Sequence, residues 1–372
     1  MKESSSVQRV VVGMSGGVDS SVAAAVLLEQ GYEVIGATML VWSPPGVDMN
    51  YSESCCGLSA AEDARRVCAK LGIRHYTLDF KDVFYERIIR NYVEEYSRGR
   101  TPNPCVLCNE WIKFRALLDR ARSLGAEQVA TGHYARIRYD EDRRRWLLLR
   151  GLDPRKDQSY ALYRLSQEQL SRTLFPLGEM DKATVRRLAR ELELPTAGKP
   201  DSQETCFVPN NDYPALLQIL TPESFRPGEI RSTSGQVLGR HQGVANYTIG
   251  QRRRLNVGSP VPLYVTALDP ETATVTVGTA EDEALYRKEV VATDVNLVGL
   301  EPPNGALPAP KAVVASIRYN SSGQPATLYL ERGEEGLRMR AVFDTPVRAV
   351  TPGQSLVCYQ DDELLGGGII AG

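Results

Sequence analysis

Arg9-Val10-Val11-Val12-Gly13-Met14-Ser15-Gly16-Gly17-Val18-Asp19-Ser20-Ser21 is an apolar run that stops at two glycines and resumes as Val22-Ala23-Ala24-Ala25-Val26-Leu27-Leu28-Glu29-Gln30-Gly31. Three consecutive valines suit a buried strand. The Ala- and Leu-rich segment from Ser21 to Gln30 suits a helix closed by Gly31. Strand, tight turn and helix in that order form the first unit of a parallel α/β sheet. The turn sets backbone N–H groups and the positive end of a helix dipole at one place, which suits a phosphate. Gly16 and Gly17 let the backbone approach its oxygens, Ser15, Ser20 and Ser21 offer hydroxyls, and Asp19 is a candidate carboxylate for Mg²⁺. The turn has no lysine of the Walker kind, which argues against γ-phosphate transfer.

The alternation continues along the chain. Strands are expected at Val34 to Met39, His75 to Leu78 and Gln128 to Thr131, and helices at Ala60 to Leu71, Val83 to Tyr96 and Ile112 to Leu124. This is the pattern of a doubly wound parallel sheet. From Pro195 to Asn211 the composition turns to Pro, Gly, Asp and Asn, which reads as a boundary. Beyond Arg226 come short Val/Thr/Tyr runs between glycines and prolines, such as Pro262-Leu263-Tyr264-Val265-Thr266-Ala267-Leu268 and Ala273-Thr274-Val275-Thr276-Val277. The expected architecture is α/β. A doubly wound N-terminal domain (1–208) precedes a small mainly-β central domain (209–285) and a C-terminal β-barrel (286–372), with barrel strands from about Val290.

With 372 residues, 42% of them hydrophobic and 24% charged, the chain has the composition of an ordinary soluble protein of two or three domains. Its polar first residues give no signal segment, and no run approaches the roughly 18 apolar residues of a membrane span. A cytoplasmic location without membrane partners is expected. The net charge of −2 argues against a generally basic nucleic-acid binder, yet residues 84–190 hold 22 Lys and Arg against 14 Asp and Glu. That local excess fits either solvated helix faces or a surface for phosphates.

The seven cysteines do not form a secreted disulfide framework. Cys105 and Cys108 lie in Thr101-Pro102-Asn103-Pro104-Cys105-Val106-Leu107-Cys108-Asn109, read as a proline-interrupted loop leading into a helix. Cys206 lies in the polar Asp201-Ser202-Gln203-Glu204-Thr205-Cys206. A cysteine in such a setting tends toward thiolate, so these three are the reactive candidates. C-x-x-C alone is compatible with zinc, an iron–sulfur centre or a redox dithiol. The three histidines, His75, His133 and His241, lack finger-like spacing with these cysteines, which disfavours zinc. Cys68 and Cys358 fall in apolar runs and read as packing residues, and Cys55 and Cys56 precede a helix.

The glycine-rich turn resembles that of the pyrophosphatase-loop superfamily, whose members cleave ATP between the α and β phosphates and adenylate a carbonyl oxygen. Across nearly its whole length the chain resembles the bacterial tRNA-specific 2-thiouridylases. The resemblance is carried by Gly13 to Ser21, Gly99-Arg100-Thr101-Pro102-Asn103-Pro104, Ala130-Thr131-Gly132-His133-Tyr134-Ala135-Arg136 and Lys156-Asp157-Gln158-Ser159-Tyr160. Tyr247-Thr248-Ile249-Gly250-Gln251-Arg252 and Ile317-Arg318-Tyr319 extend it into the β-rich half.

The resemblance implies that Gly13, Met14, Ser15, Gly16, Gly17, Val18, Asp19, Ser20, Met39 and Gly132 contact ATP, with Mg²⁺. It implies Cys108 as nucleophile and Cys206 as the carrier of a persulfide. Asn103, Pro104 and Cys105 would meet the target base, and Lys156, Asp157, Gln158, Arg318 and Tyr319 the tRNA. The implied partners are tRNAs with a wobble uridine (acceptors of Lys, Glu and Gln) and a cysteine desulfurase or sulfur-relay protein. The implied reaction is adenylation of uridine O2, then displacement of AMP by sulfur.

One departure stands out. Many family members carry Asp where this chain has Cys105, so Cys105, Cys108 and Cys206 have the ligand count of a [4Fe–4S] cluster with one open iron. The persulfide route needs only two cysteines and is the favoured expectation, with the cluster as its alternative. Another pyrophosphatase-loop ligase is the rival enzyme class, but a ligase has no use for paired cysteines with a third downstream.

Overall fold

The opening valines form β1 (Arg9–Gly13), from which the chain passes through the glycine turn into α1 (Val18–Glu29). The computed structural model describes residues 7–44, 58–201, 205–319, 321–334 and 336–372. Cys55 and Cys56 lie outside these. The chain divides into two compact units. The first comprises residues up to Ile88, Cys105–Asn211 and Asp362–Leu364, and the second comprises Ile89–Pro104, Asp212–Asp361 and Leu365–Gly372.

In the first unit, β2 (Glu33–Leu40), α2 (Leu58–Leu71), β3 (Arg74–Asp79) and α3 (Lys81–Phe84) follow α1. A π-helical turn, Tyr85–Ile89, then leads to α4 (Arg90–Ser97), which is grouped with the second unit. The helical run of α5 (Pro104–Cys108), a π-helical stretch Asn109–Ala116 and α6 (Leu117–Ser123) is unbroken. After β4 (Gln128–Ala130) come the hairpin β5 (Ala135–Asp140) and β6 (Arg145–Arg150), then α7 (Gln167–Ser171), β7 (Thr173–Leu174) and α8 (Lys182–Glu191).

The central sheet has the order β3-β2-β1-β4-β7, and all its pairs are parallel. The chain winds outward from β1 to β3 and returns on the other side at β4, so the winding reverses between β1 and β4. In doubly wound sheets the crevice at the carboxyl ends of such strands is where ligands bind. Helix α1 is apolar around its circumference because it is covered on two sides. Ala24 and Leu27 pack with Val10, Val12 and Val34 of the sheet, and Val18, Val22, Ala23 and Val26 pack with Val185 and Ala189 of α8. Cys68 of α2 is buried in the same core, and burial pushes its thiol up to about 12, so it is a packing residue.

The second unit holds α9 (Tyr213–Leu220) and a four-stranded sheet of β8 (Gly228–Ser232), β9 (Val237–His241), β10 (Tyr264–Asp269) and β11 (Thr274–Gly278), in the order β10-β11-β8-β9. Ile230, Val265, Val275 and Val277 supply its core. The last six strands are β12 (Tyr286–Leu297), β13 (Lys311–Ser316), β14 (Gln324–Gly333), β15 (Gly336–Arg348), β16 (Ser355–Gln360) and β17 (Glu363–Ile370). They run β12-β15-β14-β13-β16-β17, and β12 closes the barrel by pairing Ala292 with Ile370 and Leu297 with Gly366. Alternate residues such as Ala326, Leu328 and Leu330 of β14 and Met339, Ala341 and Phe343 of β15 fill the interior. Cys358 is buried there, its thiol also pushed up to about 12 by burial.

The expected α/β domain, mainly-β domain and barrel are thus all present. The Cys105–Cys108 segment differs from the expected loop. Pro104 starts a helix, where its fixed φ and missing N–H cost nothing, and both cysteines are helical. The hairpin β5–β6 and helix α8 were not expected.

Candidate active site

Gly13 closes β1, Met39 lies one residue from the end of β2, and Gly132 follows β4 by two residues. The fold therefore brings three segments far apart in sequence to the carboxyl edge of the sheet at its winding reversal. A Cβ on Gly13 would lie 3.5 Å from Met39 Cε and 3.5 Å from Thr131 Cγ2. A Cβ on Gly132 would lie 2.7 Å from the backbone of both Asp19 and Ser20, so only glycine permits this approach to the start of α1. Gly16 has φ +66°, and a Cβ there would clash with the Ala60 carbonyl.

The turn is held by its own hydroxyls. Ser20 Oγ accepts from Ser15 N at 3.1 Å, Ser21 Oγ donates to the Gly17 carbonyl at 2.7 Å, and Thr196 Oγ1 donates to Ser21 Oγ at 2.9 Å. Gly17 is the N-cap of α1, and no side chain caps it. The first-turn N–H groups are thus left without a side-chain cap, as an anion site at a helix start requires.

Asp19 is not presented as an open carboxylate. Lys182 Nζ donates to both its oxygens, at 2.7 and 2.8 Å, and Tyr134 Oη donates to Oδ1 at 2.7 Å. Lys182 also pairs with Asp201 at 2.8 Å, and Asp201 accepts from Lys156 at 2.7 Å and Arg186 at 2.6 Å. Burial alone raises the Asp201 carboxyl, but the bonds and charges of Lys156 and Lys182 outweigh it and bring it down to about 2. Burial, then the Asp19 carboxylate, pushes the Tyr134 phenol up, so it remains a donor. Lys199 Nζ donates to the Gly16 carbonyl at 3.1 Å and pairs with Asp63. The glycine turn is therefore ringed by two lysines, Lys182 and Lys199, that do not belong to its own sequence.

Sequence reasoning missed Lys182, Lys199, Tyr134 and Asp201. Lys182 sits at the start of α8, on a helix that the sequence did not reveal. Lys199 and Asp201 fall in the Pro- and Gly-rich stretch read as a boundary. Its composition reflects an irregular path that brings charges to the turn.

Lys156, Asp157 and Gln158 form a fixed turn beside this network. The Asp157 carboxylate accepts from Gly151 N, Ser159 N and Ser159 Oγ, each at 3.0 Å, and from Arg150 at 3.1 Å. Gln158 Oε1 accepts from Tyr134 N at 3.0 Å. Asp157 and Gln158 thereby shape the segment that carries Lys156, and Lys156 is linked through Asp201 to Lys182.

On α5, Cys105 is exposed and Cys108 half-buried; Cys206 is half-buried and precedes the buried Phe207, which packs edge-on against Phe84 at 5.6 Å. All three cysteines belong to the first unit. Among the described residues no three His, Cys, Asp or Glu side chains are gathered to hold a metal ion. Nor are the histidines arranged for a metal. His75 bonds Thr38 at 2.9 Å, His133 bonds Thr131 at 2.6 Å, and His241 accepts from Gly243 N at 3.0 Å. Burial, then Lys113, holds His133 well below the usual imidazole range, so it is neutral.

Asn103 and Pro104 are grouped with the second unit, in a segment tied to it by Thr101 N donating to the Pro352 carbonyl at 2.8 Å and Gln354 Nε2 donating to the Thr101 carbonyl at 2.9 Å. Arg318 and Tyr319 follow β13 and are exposed; Arg318 lines a cavity of about 530 Å³ with Arg348, Ser321 and Ser322.

A doubly wound sheet with an uncapped glycine turn at its reversal, followed by two β-domains, defines a nucleotide-binding domain joined to β-modules. Family models agree. Residues 8–210 match a tRNA methyl transferase HUP domain, 216–279 a tRNA methyl transferase PRC-barrel domain, and 287–370 an aminomethyltransferase beta-barrel domain. The chain is 48% identical over 365 residues to the tRNA-specific 2-thiouridylase MnmA of Acetivibrio thermocellus, covering 98% of this chain and 99% of that protein. It is also 48% identical over 364 residues to that of Pelotomaculum thermopropionicum, covering 97% of each. The chain belongs to the tRNA-specific 2-thiouridylase family.

Proposed function

We propose that this enzyme replaces O2 of the wobble uridine of tRNA with sulfur, at the cost of ATP cleaved to AMP and pyrophosphate. The observation that carries the reading is the full-length match to 2-thiouridylases, with the glycine turn, Met39 and Gly132 together at the sheet reversal. The N–H groups at the start of α1 suit the phosphates, and Lys182 and Lys199, paired with Asp19, Asp201 and Asp63, border the turn. Any Mg²⁺ would be held chiefly by the phosphates of ATP. Asp19 is a candidate ligand within the turn, and its carboxylate is engaged by Lys182.

Uridine O2 attacks the α-phosphorus, and pyrophosphate leaves. The terminal sulfur of a persulfide on Cys206 then attacks C2, the C2–O bond breaks, and AMP departs with that oxygen. The Cys108 thiolate next attacks the remaining Cys206 sulfur, forming a Cys108–Cys206 disulfide and leaving the thiocarbonyl. Alternatively, Cys108 first releases the sulfur as hydrosulfide, which attacks C2. Either way two thiols supply the two electrons. Asn103, Pro104 and Cys105 are assigned to the target base, drawn from its stack for the reaction, and Lys156, Asp157, Gln158, Arg318 and Tyr319 to the tRNA. A desulfurase or sulfur-relay protein would load Cys206. Acceptors of Lys, Glu and Gln in the cytoplasm are the expected substrates, and among the described residues no helix is long and apolar enough to cross a membrane.

The test is mass spectrometry of nucleosides from unmodified tRNA incubated with the protein, ATP and a competent sulfur donor. The expected product is 2-thiouridine, lost in Cys108→Ala and Cys206→Ala. Its absence with folded wild-type protein would sink the reading.

A further inference from the structure

The two π-helical stretches meet at one tryptophan. Arg87, from Tyr85–Ile89, places its guanidinium carbon 4.1 Å from the Trp111 ring centroid, and Arg115, from Asn109–Ala116 like Trp111 itself, places its own at 4.5 Å. Trp111 is half-buried and both arginines are exposed. Among the described residues neither guanidinium is given to a carboxylate, whereas Arg122, Arg164 and Arg172 each have one. π-Helical turns are rare and occur often at functional sites. Here they gather two uncompensated cations on a single ring.

A guanidinium stacked on an aromatic face spends its face on the ring and keeps its in-plane N–H donors available. Those donors match the paired oxygens of a phosphodiester. The ring also limits the conformations of both side chains, so less freedom is lost when an anion binds. Trp111 lies three residues beyond Cys108 in one unbroken helical run, a rise of about 4.5 Å. The ring that carries the pair thus belongs to the same helical run as that cysteine.

We infer that Arg87, Trp111 and Arg115 form a clamp for the RNA backbone, gripping phosphates that flank the uridine to be thiolated. This rests on the tRNA-thiolation reading above and adds a binding site to it. The charge excess between residues 84 and 190 then has a defined part facing RNA, while many of its other arginines are neutralised within the protein.

The test is the dissociation constant of the full chain for an unmodified tRNA transcript across a salt series, for wild type, Arg87→Gln, Arg115→Gln, the double variant and Trp111→Ala. Each arginine change should weaken binding about 3- to 10-fold and lower the slope of log affinity against log salt by about one. Trp111→Ala, with both charges retained, should weaken binding with a smaller change in slope. Affinity for a fluorescent ATP analogue should remain at the wild-type value in all. The glutamine variants carry the test should Trp111→Ala not fold. Unchanged tRNA affinity and slope in the double variant would overturn the clamp. So would unchanged tRNA binding with slower sulfur loading from a donor protein, which would assign the surface to that protein. Failure of wild type to make 2-thiouridine is a separate result and would overturn the parent reading.

Discussion

Asp201 accepts from Lys156, Lys182 and Arg186, and its removal would leave three cations facing one another beside the glycine turn. Asp201→Asn should therefore cost about 2–3 kcal/mol, since breaking a partly buried pair strands the partner charges. The pH dependence has a fixed sign. The folded carboxyl lies near 2, below its ordinary 3.8, so its contribution is complete above about pH 4 and is lost as pH falls toward 2. Denaturant midpoints of wild type and Asp201→Asn should converge over that range; a gap unchanged down to pH 2 would contradict the assignment. The turn from Gly13 to Ser20 was legible because its residues are contiguous. Lys182 was not, because it reaches Asp19 across 163 positions and only the folded sheet brings them together.

At the scale of elements, the close approach of the β4–β5 connection to the start of α1 makes the crevice. Gly132→Ala would push a methyl against the backbone of Asp19 and Ser20. It should cost about 1–3 kcal/mol and weaken ATP binding at least tenfold, because the displaced backbone is the phosphate seat. Gly198→Ala, where an added Cβ meets nothing within 4 Å, should change stability by less than about 0.5 kcal/mol. Thermal midpoints and nucleotide titration of the two variants decide this. Strands β1, β2 and β4 were readable as apolar runs, whereas β3 is mostly exposed and the two-residue β7 gave no signal in sequence. The helical state of Cys105 and Cys108 was obscured by two prolines in Thr101-Pro102-Asn103-Pro104, of which the second starts the helix. The π-helical turns have no period in sequence to betray them, since each is a local insertion within an otherwise α-helical pattern.

For the whole molecule, a nucleotide-binding sheet, a small β-domain and a closed barrel are joined in one chain. The barrel was expected from the run of short strand-like segments between glycines and prolines beyond Arg226; the closure of β12 on β17 is long-range pairing that no local pattern announces. In the proposed reaction ATP is spent on uridine O2 so that sulfur can replace it. The direct measurement is to place ¹⁸O at C2 of the wobble uridine, run the reaction with ATP and a sulfur donor, and weigh the AMP released. Adenylation at O2 predicts that AMP carries the label in proportion to the 2-thiouridine formed. Unlabelled AMP, with 2-thiouridine produced, would contradict adenylation at O2.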